Sequence, residues 1–125
     1  MKGLDKYFLC FFLLVYGCSS VDKNFENLLK SPDKFHGQEI EITGIYREKF
    51  EDLAVYFNGS SDKDKAIWLN FSKLFLSLNT FNGFDGAMVK VKGTFNKNDK
   101  GHLGQYAGSL DDAWVLFDED YARLK

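Results

Sequence analysis

Residues 35–44, Phe35-His36-Gly37-Gln38-Glu39-Ile40-Glu41-Ile42-Thr43-Gly44, carry the pattern that decides the fold. Ile40 and Ile42 alternate with Glu39, Glu41 and Thr43. That puts apolar side chains on one face and polar ones on the other, the period of a half-buried β-strand. Gly44 then interrupts the strand, as a bulge or a barrel corner requires. The pattern returns at residues 84–93, Phe84-Asp85-Gly86-Ala87-Met88-Val89-Lys90-Val91-Lys92-Gly93. Both stretches read Phe-x-Gly, two positions, then apolar-x-apolar-x-Gly. Two strands entered by similar turns and bent by a glycine are expected, though one pair of matches is too little for a solenoid repeat.

Further elements extend outward from these two. The first strand runs from Gln38 to Tyr46. A second spans Phe50 to Phe57, with Leu53, Val55 and Phe57 on one face. After a polar loop over residues 58–65, a third runs from Ala66 to Phe71, with Ile67, Leu69 and Phe71 opposite Trp68. Ser72 then caps a helix carrying Leu74, Phe75 and Leu78 and closed by Asn82-Gly83. The fourth strand, Ala87 to Phe95, leads into turn-forming residues at Asn96–Gly101. The fifth is bent or broken, His102 to Leu110 and then Ala113 to Phe117. Asp118–Lys125 adds at most a helical turn.

Ahead of the strands, Phe25, Leu28 and Leu29 form the apolar stripe of a short helix within Val21–Lys30. Ser31-Pro32 restarts a turn with Ser31 as cap and Pro32 in the first position. Three strands, a helix and two strands are the order of the OB-fold. The expected fold is mainly β with short helices: a five-stranded barrel with a helix between strands 3 and 4. Closure also removes exposed sheet edges. The competing architecture is an open α+β sheet with helices on one face.

The chain has 125 residues, 45% hydrophobic and 27% charged, which suits one globular domain plus a targeting segment. Net charge is −2, and no run of like charge exceeds Asp118-Glu119-Asp120. A nucleic-acid binder shows a basic field, so this balance speaks against one.

The first residues read as a signal peptide. Met1–Lys6 is short and weakly positive, and Phe8 to Tyr16 is apolar throughout. Nine residues match a signal-peptide core, whereas a membrane-spanning helix needs about 20. Val15-Tyr16-Gly17-Cys18 follows and resembles the lipobox of bacterial lipoproteins, with a small residue before the cysteine that takes the lipid. Tyr16 is bulkier than that pattern usually has, and Asp5 dilutes the positive start. The competing reading is a buried N-terminal helix with an incidental cysteine. The expected organisation is a signal peptide at 1–17, a lipidated start and helical lead-in at 18–34, and the OB-like domain at 35–125.

Cleavage after Gly17 leaves Cys18 to carry S-diacylglycerol and an N-acyl chain, a palmitate-type anchor of more than one chain, which makes attachment stable. Cys10 goes with the signal peptide, so no disulfide is expected. Removing residues 1–17 takes away Lys2, Lys6 and Asp5, one positive charge net, and leaves −3. Ser19 stands where an Asp would favour inner-membrane retention in two-membrane cells. The lipoprotein resemblance therefore implies the outer membrane, with the domain facing the periplasm.

Residues Phe35 to Leu110 resemble small bacterial lipoproteins with an OB-fold-like domain. The resembling residues are Gly37, Ile40-x-Ile42-x-Gly44, Ala54-x-Tyr56, Ile67-Trp68-Leu69, Val89-x-Val91-x-Gly93-Thr94-Phe95 and Gly101-His102-Leu103-Gly104, with Gly108 after them. That group has no activity assigned to it, so the resemblance implies fold and location and no reaction.

OB-folds usually bind on the face of strands 2 and 3, flanked by the loops after strands 1 and 4. Those loops are expected at Arg47-Glu48-Lys49 and Asn96–Gly101. Tyr46, Tyr56, Trp68 and Tyr106 are candidates for an aromatic binding surface, with His102 at its border. Each has a plainer reading: aromatic strand residues are more often packing than platform, and His102 between glycines suits a turn-fixing bond to the backbone. His36 is a weaker candidate of that kind. Trp114 reads as core, and Asp111-Asp112 as a turn.

A catalytic set has little support. The two histidines are far apart, and neither lies in a spaced metal motif with Cys, Asp or Glu. The sequence carries no cofactor fingerprint. A non-catalytic binding or scaffolding module is expected, with the membrane, through its anchor, and an envelope protein or glycan as partners. The second expectation is a small hydrolase or small-molecule site where His102, Asp99 and Tyr106 converge. Nucleic-acid binding comes third.

Overall fold

A computed structural model of the chain describes residues 22–78 and 84–116. The signal peptide, Cys18, the Asn82-Gly83 helix end and residues 118–125 lie outside the described residues. Five strands, β1 (Glu39–Lys49), β2 (Asp52–Tyr56), β3 (Ala66–Phe71), β4 (Met88–Asn96) and β5 (Gly108–Leu116), close a barrel in the order β1-β2-β3-β5-β4. All neighbours are antiparallel except β3 and β5. This is an OB-fold-like barrel, closed rather than open. Helices α1 (Lys23–Lys30) and α2 (Pro32–Phe35) precede it, and α3 (Lys73–Leu78) joins β3 to β4.

β1 makes closure possible by serving two partners. Residues Glu39 to Ile45 pair with β4, and Ile45 to Lys49 pair with β2, so Ile45 is shared. The corner is Gly44. A Cβ there would run into the carbonyl oxygen of Tyr56 and approach Val55 Cγ2 to 2.9 Å. The repeated turns are equally physical. Gly37 and Gly86 adopt φ of 82° and 86°. Each is followed by the same bond, Gln38 N–H to Phe35 C=O at 3.0 Å and Ala87 N–H to Phe84 C=O at 2.9 Å. Left-handed φ favours glycine, which explains the Phe-x-Gly echo.

Inward side chains come from every strand, among them Ile42, Tyr46, Val55, Ile67, Leu69, Val91, Phe95, Leu110 and Val115. Phe25 and Leu28 of α1 and Phe75 of α3 complete this core. Burying Phe25 and Leu28 fully is worth about 1.5–3 kcal/mol each, so the helical lead-in is part of the barrel's core. Asp22 locks α1 in place. Its Oδ1 accepts from Asn24 N–H at 2.9 Å, and its Oδ2 from Thr43 N–H at 2.6 Å on β1.

Several expected boundaries need correction. Arg47-Glu48-Lys49 is strand rather than loop, because β2 pairs with it to Lys49↔Asp52 and leaves only residues 50–51 to turn. Phe57 leaves β2 for a 3₁₀ turn, yet its ring meets Phe25 edge-on at 5.3 Å. Ser72 caps α3 through its Oγ and Phe75 N–H, whereas Ser31 makes no side-chain cap bond. Leu74 and Leu78 of α3 are exposed; Phe75 alone is buried. His102–Gly104 is a 3₁₀ turn, and β5 is one strand with a bulge where Asp112 takes φ 51°. Asp111-Asp112 is thus an irregularity inside a strand.

Gly44→Ala is expected to lower stability by about 1–3 kcal/mol through overpacking against a backbone oxygen. Gly86→Asn, at a left-handed φ but with open space around it, should cost less, about 0.5–1 kcal/mol, because it meets backbone strain without a clash. Urea unfolding of both variants checks the contrast.

Candidate functional site

The outer face of β2 and β3 holds a second, smaller cluster: Ala54, Tyr56, Ala66 and Tyr106, with Ile45 and Trp68 packed against it. Alternation puts Tyr56 outside because its neighbour Val55 faces the core. Asp52, four residues back at the start of β2, organises the cluster. Its Oδ1 accepts from the hydroxyls of Tyr56 at 2.7 Å and Tyr106 at 2.8 Å. Burial, and then the hydrogen bond to Asp52, pushes both phenols well above the ordinary tyrosine range. They therefore stay protonated donors across accessible pH.

Two cations cover these rings. The Arg47 guanidinium lies 4.7 Å above Tyr56, and Lys63 Nζ lies 5.7 Å from the Tyr106 centroid while donating to Gln105 Oε1 at 3.1 Å. The β4–β5 loop closes over the other side. Gly101 sits against Trp68 and Tyr106 so closely that a Cβ would lie 2.8 Å from each. Trp68 meets Tyr106 edge-on at 5.2 Å and donates from Nε1 to Asn70 Oδ1 at 3.1 Å. Asn70 Nδ2 in turn donates to Asp99 and Asp111, at 2.9 and 3.0 Å. Bonds from Gly101 N–H and then Asn70 hold the Asp99 carboxyl below its ordinary range.

This geometry corrects the expected aromatic surface. Tyr56 and Tyr106 are buried under cations and loop, and Trp68 is half-buried. Tyr46 faces the other way, into the main core beside Phe71, because β1 reverses facing at each residue. Burial and the carboxylate of Glu48 raise its phenol as well. The expected convergence of His102, Asp99 and Tyr106 does not form. Asp99 turns to Gly101 and Asn70, Tyr106 to Asp52, and His102 Nε2 stands 3.7 Å from Glu51 Oε2. His36 rather than His102 ties the backbone, its Nδ1 accepting from Lys97 N–H at 3.2 Å.

The tips of the two loops present a different surface. Phe50, in the two-residue turn between β1 and β2, is 97% exposed, and Leu103, at φ 58° in the 3₁₀ turn, is 76% exposed. Their neighbours hold the tips together: His102 faces Glu51, and the Tyr106 hydroxyl also reaches the Glu51 carbonyl at 3.3 Å. Sequence reasoning missed Asp52, Phe50 and Leu103. The Asp52–Tyr56 spacing was visible, but its meaning depends on Tyr106 arriving from 50 residues on.

Among the described residues no group of His, Cys, Asp or Glu could hold a metal ion, and no helix is long and apolar enough to cross a membrane. Two open clefts, one beside Phe35 and Ile40 and one beside Trp114 and Leu116, include none of the cluster residues.

Asp52→Ala should cost about 1–3 kcal/mol by orphaning the buried Tyr56 hydroxyl, and Tyr56→Phe in that background should recover part of the loss. Urea unfolding of the single and double variants measures this. The lowered Asp99 carboxyl contributes stability above the ordinary carboxylate range, and loses it as pH falls below about 4 through its folded value. Thermal unfolding against pH should therefore show a shallower acid limb in Asp99→Asn than in the parent.

No family model matches the chain, and no curated protein or solved structure matches it either.

Proposed function

We propose that the chain is a lipid-anchored lipoprotein of the bacterial envelope whose barrel is a non-catalytic protein-binding module. In this reading residues 1–17 are removed, Cys18 carries the lipid, and the domain faces the periplasm from the outer membrane. The observation that carries the binding role is the paired tips: Phe50 and Leu103 stand in solvent, yet their loops meet at Glu51, whose carbonyl accepts from the Tyr106 hydroxyl. Exposed apolar side chains on a pre-ordered support lose little entropy on docking, the condition for an interface hot spot. Arg47 and Lys49 on one side and Glu51 on the other supply a charged rim around them. The two exposed tip side chains, Phe50 and Leu103, carry no hydrogen-bonding group, which favours an envelope protein over a glycan as partner.

In cells, a photoreactive phenylalanine analogue in place of Phe50 should form a discrete adduct with one envelope protein. Leu103→Ser should cut its yield at least about tenfold without moving the urea midpoint, as loss of a hot-spot residue does. An adduct indifferent to Leu103 would remove the basis of the proposal. The anchor has its own check: Cys18→Ala should release the protein from membranes on fractionation.

A further inference from the structure

Seven large apolar side chains are exposed among the described residues, and Phe50 and Leu103 form the rim. The other five are Leu74, Leu76, Leu78, Met88 and Leu116. Connectivity gathers them at one end of the barrel. β3 and β5 are parallel and finish together, with Phe71 opposite Ala113. α3, carrying Leu74, Leu76 and Leu78, follows β3 directly. β4 is antiparallel to β5 and starts where β5 ends, with Lys90 opposite Leu116. Met88 lies two residues before Lys90 and shares its outward face. Single exposed leucines are ordinary, but five at one end mark a surface that meets something.

The attachment point says what that is. Asp22 is fastened to the barrel through Thr43 and the cap of α1. Four residue steps separate it from Cys18, and they span at most about 14 Å. A compact domain of this size has a radius of gyration near 13 Å. In the lipid-anchor reading, a tether no longer than the domain's radius of gyration keeps the barrel within reach of the headgroups and limits which of its faces can meet them. Thr43 pairs with Lys90, and Lys90 with Leu116. With Asp22 on the free edge of β1, and at about 4.8 Å per spacing, the tether leaves the barrel about 10 Å from the strand of Met88 and about 14 Å from Leu116. Lys73 and Lys90 stand among the apolar residues, with stems long enough to lie along them while their ammonium groups reach lipid phosphates.

We propose that α3 with Leu74, Leu76 and Leu78, together with Met88 and Leu116, lies in the headgroup region of the bilayer that holds Cys18. The proposal rests on the lipid-anchor reading and adds an orientation to it.

The test uses the full chain, processed and lipidated in cells, then reconstituted into vesicles of phosphatidylethanolamine and phosphatidylglycerol. Met88→Cys, Leu76→Cys and Ser61→Cys each carry an environment-sensitive fluorophore. Ser61 lies in the β2–β3 connection, at the opposite end. Incorporation of labelled palmitate is followed in parallel. Fluorophores at positions 88 and 76 should be blue-shifted and quenched several-fold more by nitroxide lipids than the one at 61. Equal, water-like signals at all three positions, with palmitate present, would overturn the orientation and leave the anchor intact. Shielding at 76 and 88 without lipid quenching would assign the face to a second copy instead and overturn it as well. Absence of palmitate would remove both the anchor and the orientation.

Discussion

A single strand must satisfy two neighbours for this barrel to exist. β1 hands over from β4 to β2 at Ile45, and the handover works because Gly44 lets the Tyr56 carbonyl approach where a side chain would stand. The rest follows from that bend. It brings the ends of β2 and β4 around one core, and it leaves the Glu39–Gly44 edge of β1 to be covered by α1 rather than by β2. Asp22 uses that free edge, taking the Thr43 N–H that no strand claims.

The outer face is stabilised by different physics from the inner one. Inside, burial of apolar side chains dominates. Outside, one carboxylate gathers two phenols, and cations lie over the rings, so a region that other OB-like barrels use for binding is here sealed by its own side chains. What remains open is displaced to the loop tips, where Phe50 and Leu103 stand exposed beside the bond from the Tyr106 hydroxyl to the Glu51 carbonyl.

The strand pattern was legible because alternation and glycine placement are local. Ile40, Ile42 and Gly44, and their echo at Val89, Val91 and Gly93, announced two strands and their turns, and the order of elements pointed to the closed barrel. Facing was partly legible: Ile67 and Leu69 went inward and Trp68 outward, as alternation requires. The aromatic candidates were not, because a tyrosine in a strand looks the same whether its hydroxyl meets water or Asp52. The roles of His36 and His102 were likewise set by Lys97 and Glu51, which approach from distant parts of the chain. A turn of two residues instead of three between β1 and β2 put Phe50, rather than Arg47 to Lys49, at the tip.

Whether Cys18 carries lipid is tested most directly by intact-mass spectrometry of the protein extracted from its own membranes. The account predicts a chain beginning at Cys18 and heavier than its residues by a diacylglyceryl group and one further acyl chain. A chain that retains residues 1–17 and a free Cys18 thiol would contradict it.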